Sequence, residues 1–352
     1  MSLFKEPIEL MGAPGSPYTR KMLAFLRYKR ISYRLLPGIR NRLNPEPERY
    51  RQRPEPKVRL LPTFYGTTEE GGEVAICDST PIIREIDAKF TERLVIPRNP
   101  VLSLINSIVE DFADEWLTKA MFHYRWSYES DIKKAGDILP RWNNTTAPDK
   151  ILAEKSREIT AHQIERLKYV GSNPITQSTI EASFKRFLEK LDKVLNNNNF
   201  ILGNRPSSCD FAVYGQLTCL ALFDPTPQKL VLETAPRIYA WTEVMEDLSG
   251  YELLMDDWLE LSEEAGIPAP LLDLLNELGS VYVPYILANE QSIDSGQSML
   301  RVEIDGWNWE QAPFPYHAKC LKQLRDEYLK LDENNTILFN SLLNKTQLIS
   351  LF

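Results

Sequence analysis

The sequence predicts an α+β protein in three parts: a small unit whose elements run βαβ then ββα, an all-helical region, and a C-terminal extension of mixed character. Three observations carry that reading. Short apolar runs alternate with helical spacings up to residue 94; beyond about residue 100 strand patterns give way to long helical ones; beyond Tyr251 a helix, a hairpin and another helix follow. The parts are 1–94, 101–250 and 251–352, the last expected to pack on the helical region.

Ile8 to Met11 is an apolar run, stopped by Gly12, Pro14 and Gly15. Pro17 to Lys29 then places Met22, Phe25 and Leu26 at helical spacing, with Pro17 suited to the first helical position. Ile31 to Leu36 reads as a second strand, Leu60 to Tyr65 and Glu73 to Cys77 as a hairpin around TTEEGG, and Ser79 to Phe90 as a helix carrying Ile82, Ile83 and Ile86. Helical patterns follow at Val101 to Tyr124, Ala147 to Tyr169, Thr179 to Leu195, Phe211 to Leu222 and Pro236 to Asp247. In the extension, Pro270 to Asn289 and Tyr316 to Leu331 read as helices flanking LRVEIDGWNW, whose Asp305-Gly306 pair predicts a tight hairpin turn.

Lys plus Arg number 41 against 49 Asp plus Glu, a formal net charge of −8, and 43% of residues are hydrophobic. This composition argues against a disordered chain and a general nucleic-acid binder. No stretch approaches 18 uninterrupted apolar residues, and Lys5 and Glu6 stand where a secretory leader needs an apolar core, so a cytosolic protein without a membrane partner is expected. Cys77, Cys209, Cys219 and Cys320 are far apart with no CxxC spacing, which points to buried thiols rather than disulfides or a zinc site. From Arg27 to Arg59 eleven basic residues face three acids. Such a lobe on an acidic chain suits a small anionic ligand, or is simply a solvated, proline-broken loop.

Four segments carry chemistry. Ser16-Pro17-Tyr18-Thr19-Arg20 ends the first loop and opens the first helix; Leu61-Pro62 stands at the third strand; Asp78-Ser79 closes the fourth and opens the next helix; and Phe200 to Asp210, FILGNRPSSCD, runs into an apolar helix. Read bare, Ser16, Asp78 and Ser79 are helix starters, and Ser207 with Asp210 is a capping box. With the element order, these segments resemble the glutathione transferase superfamily, the first being similar to the serine-type active site of its tau and zeta classes. The resemblance implies a thioredoxin-like N-terminal domain, an all-helical C-terminal domain and a homodimer.

It also implies that Ser16 donates to the sulfur of glutathione, the co-substrate. Leu61 before a cis Pro62 would pair with the cysteinyl backbone, Asp78 and Ser79 would hold the γ-glutamyl end, and Arg40, Arg42 or Lys57 would face the glycyl carboxylate. Ser207 and Asp210 would be structural. Tyr18 is the rival hydroxyl, and with Phe112, Trp116, Phe122 and Tyr124 it would wall a pocket for a hydrophobic electrophile. The energetics suffice: bringing a thiol of pKa about 8.5 down by about two units takes about 2.7 kcal/mol. One hydrogen bond to a charged acceptor supplies about 1.5–3 kcal/mol. The segment is also similar to the CPYC site of glutaredoxins, but Ser16 and Thr19 replace both cysteines and remove dithiol exchange.

Glu110, Asp111, Asp114 and Glu115 stack like charges one turn apart, so compensating partners are expected, arginines first; a metal is not, for want of Glu-x-x-His motifs. A different class stays open: a transferase-like fold kept as a binding or assembly module. Trp307, Trp309, Phe314 and Tyr316 are too much aromatic surface to leave in water, so the extension should either narrow the second-substrate pocket or form a stabilising layer elsewhere.

Overall fold

Strands β1 (Ile8–Met11), β2 (Tyr33–Leu36), β3 (Thr63–Thr67) and β4 (Glu73–Ile76) form one sheet in the order β2-β1-β3-β4 in the computed structural model, which describes residues 3–36, 53–253 and 258–352. β1 is parallel to β2 and antiparallel to β3, and β3 is antiparallel to β4. The parallel pair needs a crossover, supplied by α1 (Pro17–Tyr28); β3 and β4 need only a turn. Leu10 registers with Leu35 and Phe64, and Phe64 with Ile76. Around them Met22 and Phe25 of α1 join Ile82, Ile83 and Ile86 of α2 (Ser79–Lys89) in a closed core. Each such side chain contributes about 1.5–3 kcal/mol relative to exposure. β3 starts later than expected because Pro62 has no N–H for the ladder.

The expected helix 101–124 is one rod in three pieces: α3 (Pro100–Phe112), a π turn (Ala113–Leu117) and α4 (Thr118–Ser127). α5 (Glu129–Asn143) and α6 (Asp149–Glu165) form a helical hairpin, of which α5 was not anticipated because Gly136 and Pro140 interrupt its pattern. Gly136 is there for contact: a Cβ would lie 2.8 Å from Ser156 Oγ and Thr160 Oγ1 of α6. Then come α7 (Gln177–Leu195), α8 (Ser208–Leu217) with a second π turn (Thr218–Phe223), α9 (Pro225–Thr234), also unforeseen, and α10 (Pro236–Val244).

The last part holds α11 (Ala269–Asp294), the hairpin β5 (Leu300–Ile304) and β6 (Trp307–Gln311), α12 (Pro315–Tyr328) and α13 (Glu333–Leu343). Asp305 and Gly306 turn the hairpin with φ of 55° and 79°, the left-handed pair its two-residue loop demands. α11 is long and apolar enough to cross a membrane by length and composition, yet it lies against α7, β5 and α12, with 61% of its apolar window buried inside the protein. The fold is therefore α+β, with a small thioredoxin-like sheet unit, a helical part and an added C-terminal layer. Of Trp307, Trp309, Phe314 and Tyr316 only Trp309 is fully buried; Trp307 is 53% exposed, and Phe314 and Tyr316 are partly open. The expectation that all must be covered is corrected: Trp307 and Trp309 share one face of β6, but Trp309 lies inside the protein whereas Trp307 stands beside the Asp305-Gly306 turn, where that face runs out into solvent.

Candidate functional site

Ser16 is the N-cap of α1. Its extended backbone brings Oγ to 3.2 Å from Thr19 N, while the hydroxyl donates to the Leu61 carbonyl at 3.3 Å. That second bond is long for O–H···O and so easily exchanged for a better acceptor. Capping and a weakly held proton therefore coexist in one hydroxyl. Leu61 is exposed and its bond to the buried Pro62 is cis. Tyr18, the rival hydroxyl, is spent: it donates to the Asp114 carbonyl at 2.7 Å, and burial holds its pKa well above the ordinary value.

Asp78 occupies the N-cap position of α2, but its side chain makes no capping bond. Its backbone sits at φ 97°, strained for a residue with a Cβ, and its carboxylate accepts from Tyr316 Oη of α12 at 2.8 Å. Ser79 beside it is buried, and Lys21 Nζ donates into its Oγ at 3.1 Å. The Ser79 hydroxyl donates to no group among the described residues, and it stands at a helix N-terminus whose own N–H groups favour an anion.

Behind Ser79 lies a closed charge cluster that the sequence reading missed. Lys21 Nζ contacts Glu110 Oε1 at 2.8 Å and Asp114 Oδ2 at 2.6 Å; Thr80 Oγ1 and Ser208 Oγ donate to Glu110 at 2.9 and 2.6 Å. Burial opposes ionisation throughout. Lys21 nevertheless keeps Glu110 below its ordinary pKa, whereas Asp114, whose Oδ1 is buried without a partner, is pushed up to about 7. On the neighbouring face Tyr282 Oη donates to Asp111 at 2.6 Å, and Glu115 Oε2 lies 2.6 Å from His317 Nε2 of α12. Tyr285 Oη closes the other ring nitrogen at 2.6 Å. Burial pushes Glu115 up to about 7, pushes Lys119 down to about 7, and lowers His317, so this face is close to neutral. The expected arginine partners are corrected: Lys21, Tyr282 and His317 sit directly on these acids, and Arg84 acts on Glu110 through its charge alone.

The proposed aromatic wall is also placed differently. Phe112 packs on Phe187 and Tyr282, Trp116 on Tyr285 and Trp309, and Tyr124 on Tyr128 and Phe184, all in the core. Partners from α11 and β6 cover the face that was expected to be open. Phe122 remains partly open beside Trp126. A cavity of about 310 Å³ lies elsewhere, against Pro14 and Gly15 just before Ser16, and is lined also by Arg125, Trp142, Leu222 and Phe223. Arg125 is neutralised there by the buried Asp224 at 2.9 Å.

Arg40 and Arg42 lie outside the described residues; Lys57 is described and exposed. The positive lobe is less free than composition suggested. Arg27 pairs with Glu246, Lys29 with Asp87, Arg53 with Glu9 and Glu73, and Arg59 with Glu55. The Ser207–Asp210 segment is buried, with the Asp210 carboxylate accepting from Ser207 N, Ser207 Oγ and Ile201 N at 2.7–2.8 Å. Among the described residues no group of three or more His, Cys, Asp or Glu side chains could hold a metal ion.

Residues 10–94 match the family described as glutathione S-transferase, N-terminal domain, and residues 162–250 match its C-terminal domain. The chain belongs to the glutathione S-transferase superfamily. Solved structures similar to this transferase-family chain include a GST-like protein from Pseudomonas syringae, 16% identical over 70% of this chain and 67% of that one, with a TM-score of 0.37. A glutathione S-transferase from Methylobacterium radiotolerans, in complex with glutathione sulfonate, is 14% identical over 72% and 99%, with a TM-score of 0.39. A tau class enzyme from mango, Mangifera indica, is 17% identical over 69% and 91%, with a TM-score of 0.38. No curated protein matches the chain. Helix α5, most of α6 and everything beyond residue 250 lie outside the two stretches matched to the transferase family.

Proposed function

We propose that this protein is a glutathione transferase-like enzyme: it binds glutathione along β3 and the N-termini of α1 and α2, and holds the sulfur as a thiolate for attack on a hydrophobic electrophile. The observation that carries this is the orientation of the polar groups. The Ser16 proton is only weakly engaged, Tyr18 is committed inward, and Ser79 accepts from Lys21 while its own proton has no acceptor among the described residues. Leu61 offers backbone for strand-like pairing to the cysteinyl part, and Asp78 an acid for the γ-glutamyl amine. Lys57 stands for the glycyl carboxylate, with Arg40 and Arg42.

In this reading the electrophile uses Phe122 and the cavity beside Gly15, since Phe112, Trp116 and Tyr124 are closed off. The reading includes a cytosolic location and a homodimer, which cell fractionation and sedimentation velocity measure. Retention on immobilised glutathione, then conjugation of a broad electrophile, tests it. Ser16→Ala should lower turnover about ten- to a hundredfold with little change in glutathione affinity, the loss of one charge-assisted hydrogen bond. An unchanged pH–rate profile in that variant would remove Ser16 from the thiolate role.

A second reading has its own support. The extension fills the aromatic face of α3 and α4 with Tyr285 and Trp309, as befits a binding module with no second-substrate groove. Retention on glutathione without conjugation of any electrophile favours it.

A further inference from the structure

We infer that the C-terminal extension contributes a specificity residue to the ligand site: Tyr316, by orienting the Asp78 carboxylate, makes it a receptor for the free amine at the γ-glutamyl end. This rests on the glutathione reading above and adds to it a part of the chain outside both family matches.

Three observations support it. Asp78 stands where a capping acid would stand, yet it makes no bond to its own helix, so its charge is not spent on α2. One oxygen accepts the Tyr316 hydroxyl at 2.8 Å, and the other has no hydrogen-bond partner among the described residues. A carboxylate fixed at one oxygen and open at the other accepts an ammonium in a single geometry. Tyr316 is itself held in place. Its neighbour His317 is locked between Glu115 and Tyr285, and Glu327, three turns on, pairs with Arg84 of α2. The ring stays partly open to solvent at 38%, so it borders the ligand space rather than the core. Burial and the nearby acids keep Tyr316 a phenol, able to donate.

The test is calorimetric titration of the full chain with glutathione and with N-acetylated glutathione, which lacks the free amine. Wild type should prefer glutathione. Tyr316→Phe should weaken glutathione binding by about tenfold and shrink that preference by the same factor, leaving the N-acetylated ligand unaffected. Asp78→Asn should do the same, and the double variant should be no worse than either alone, as for two members of one unit. A purely structural tyrosine would weaken both ligands together. If Tyr316→Phe keeps wild-type affinity and preference, or if the two changes simply add, the inference is overturned while the glutathione reading stands. If wild type binds no glutathione, the reading falls and the inference with it. Should Tyr316→Phe fold poorly, Asp78→Asn with both ligands still decides: loss of the amine preference supports the inference, and retention overturns it.

Discussion

Two faces of one helical segment solve the same problem differently. Glu110 and Asp114 look toward the sheet unit, where Lys21 supplies a full positive charge; Asp111 and Glu115, one residue further round, look toward the extension, where Tyr282 and His317 supply only hydrogen bonds. The first face keeps Glu110 charged against Lys21, with Asp114 raised to about 7, whereas on the second burial raises both acids. The contrast shows that a buried carboxylate can be kept by compensating its charge or by removing it. The two choices leave opposite signatures in mutants and in pH.

The largest effect should come from the ionic face. Lys21→Met leaves Glu110 and Asp114 buried without their cation, which should cost about 3–5 kcal/mol of stability, read by denaturant unfolding. A loss under 1 kcal/mol would mean that both acids are neutral and that the two faces are alike.

A medium effect should appear in pH dependence. Glu115, pushed up to about 7, keeps its proton in the folded protein between about pH 4.5 and 7, where the unfolded chain has lost it. Its contribution is thus present below about 4.5 and lost as pH rises through about 7. Lys119, pushed down to about 7, has the opposite sign: stability rises with pH between about 7 and 10.5. Glu115→Gln should flatten the fall in Tm on the acid side of pH 7 and spare the rise on the other. An unaltered acid-side slope would assign the titration to Asp114.

The smallest effect should be Asp111→Asn, within about 1 kcal/mol, because burial already holds that acid neutral and the amide can still accept from Tyr282. A large loss would make the second face ionic after all.

What the sequence made legible follows local rules. Helix α1 with Pro17 first, the Asp305-Gly306 turn and the Ser207–Asp210 segment depend on residues a few positions apart, and each is where its pattern put it. The stacked acids could be seen to need partners, but the partners lie far off in sequence. Lys21 did leave a trace. It falls on the stripe of Pro17, Phe25 and Tyr28, a charge where a core side chain belongs, and such a lysine is buried with acids or not at all. Tyr316 and His317 left none. Their roles arise from α12 docking on α2 and the π turn, which no local spacing encodes. The aromatic wall was misplaced for the same reason, since Trp309 and Tyr285 arrive from outside the common fold to cover it.

The bond between Glu115 and His317 also has a meaning in time. Translation at about 5–20 residues per second puts the histidine about 10–40 s behind its acid. Until then the nascent helical part shows water an acidic, aromatic flank that α11, β6 and α12 cover only once they are made. Through that interval Tyr316 is missing too, so a growing chain can form the sheet and bring Ser16 to Leu61 while its Asp78 is still unheld. Emergence of α12 is therefore the step at which Asp78 gains its partner, and a chain stalled short of α12 would carry the sheet unit with that carboxylate unheld.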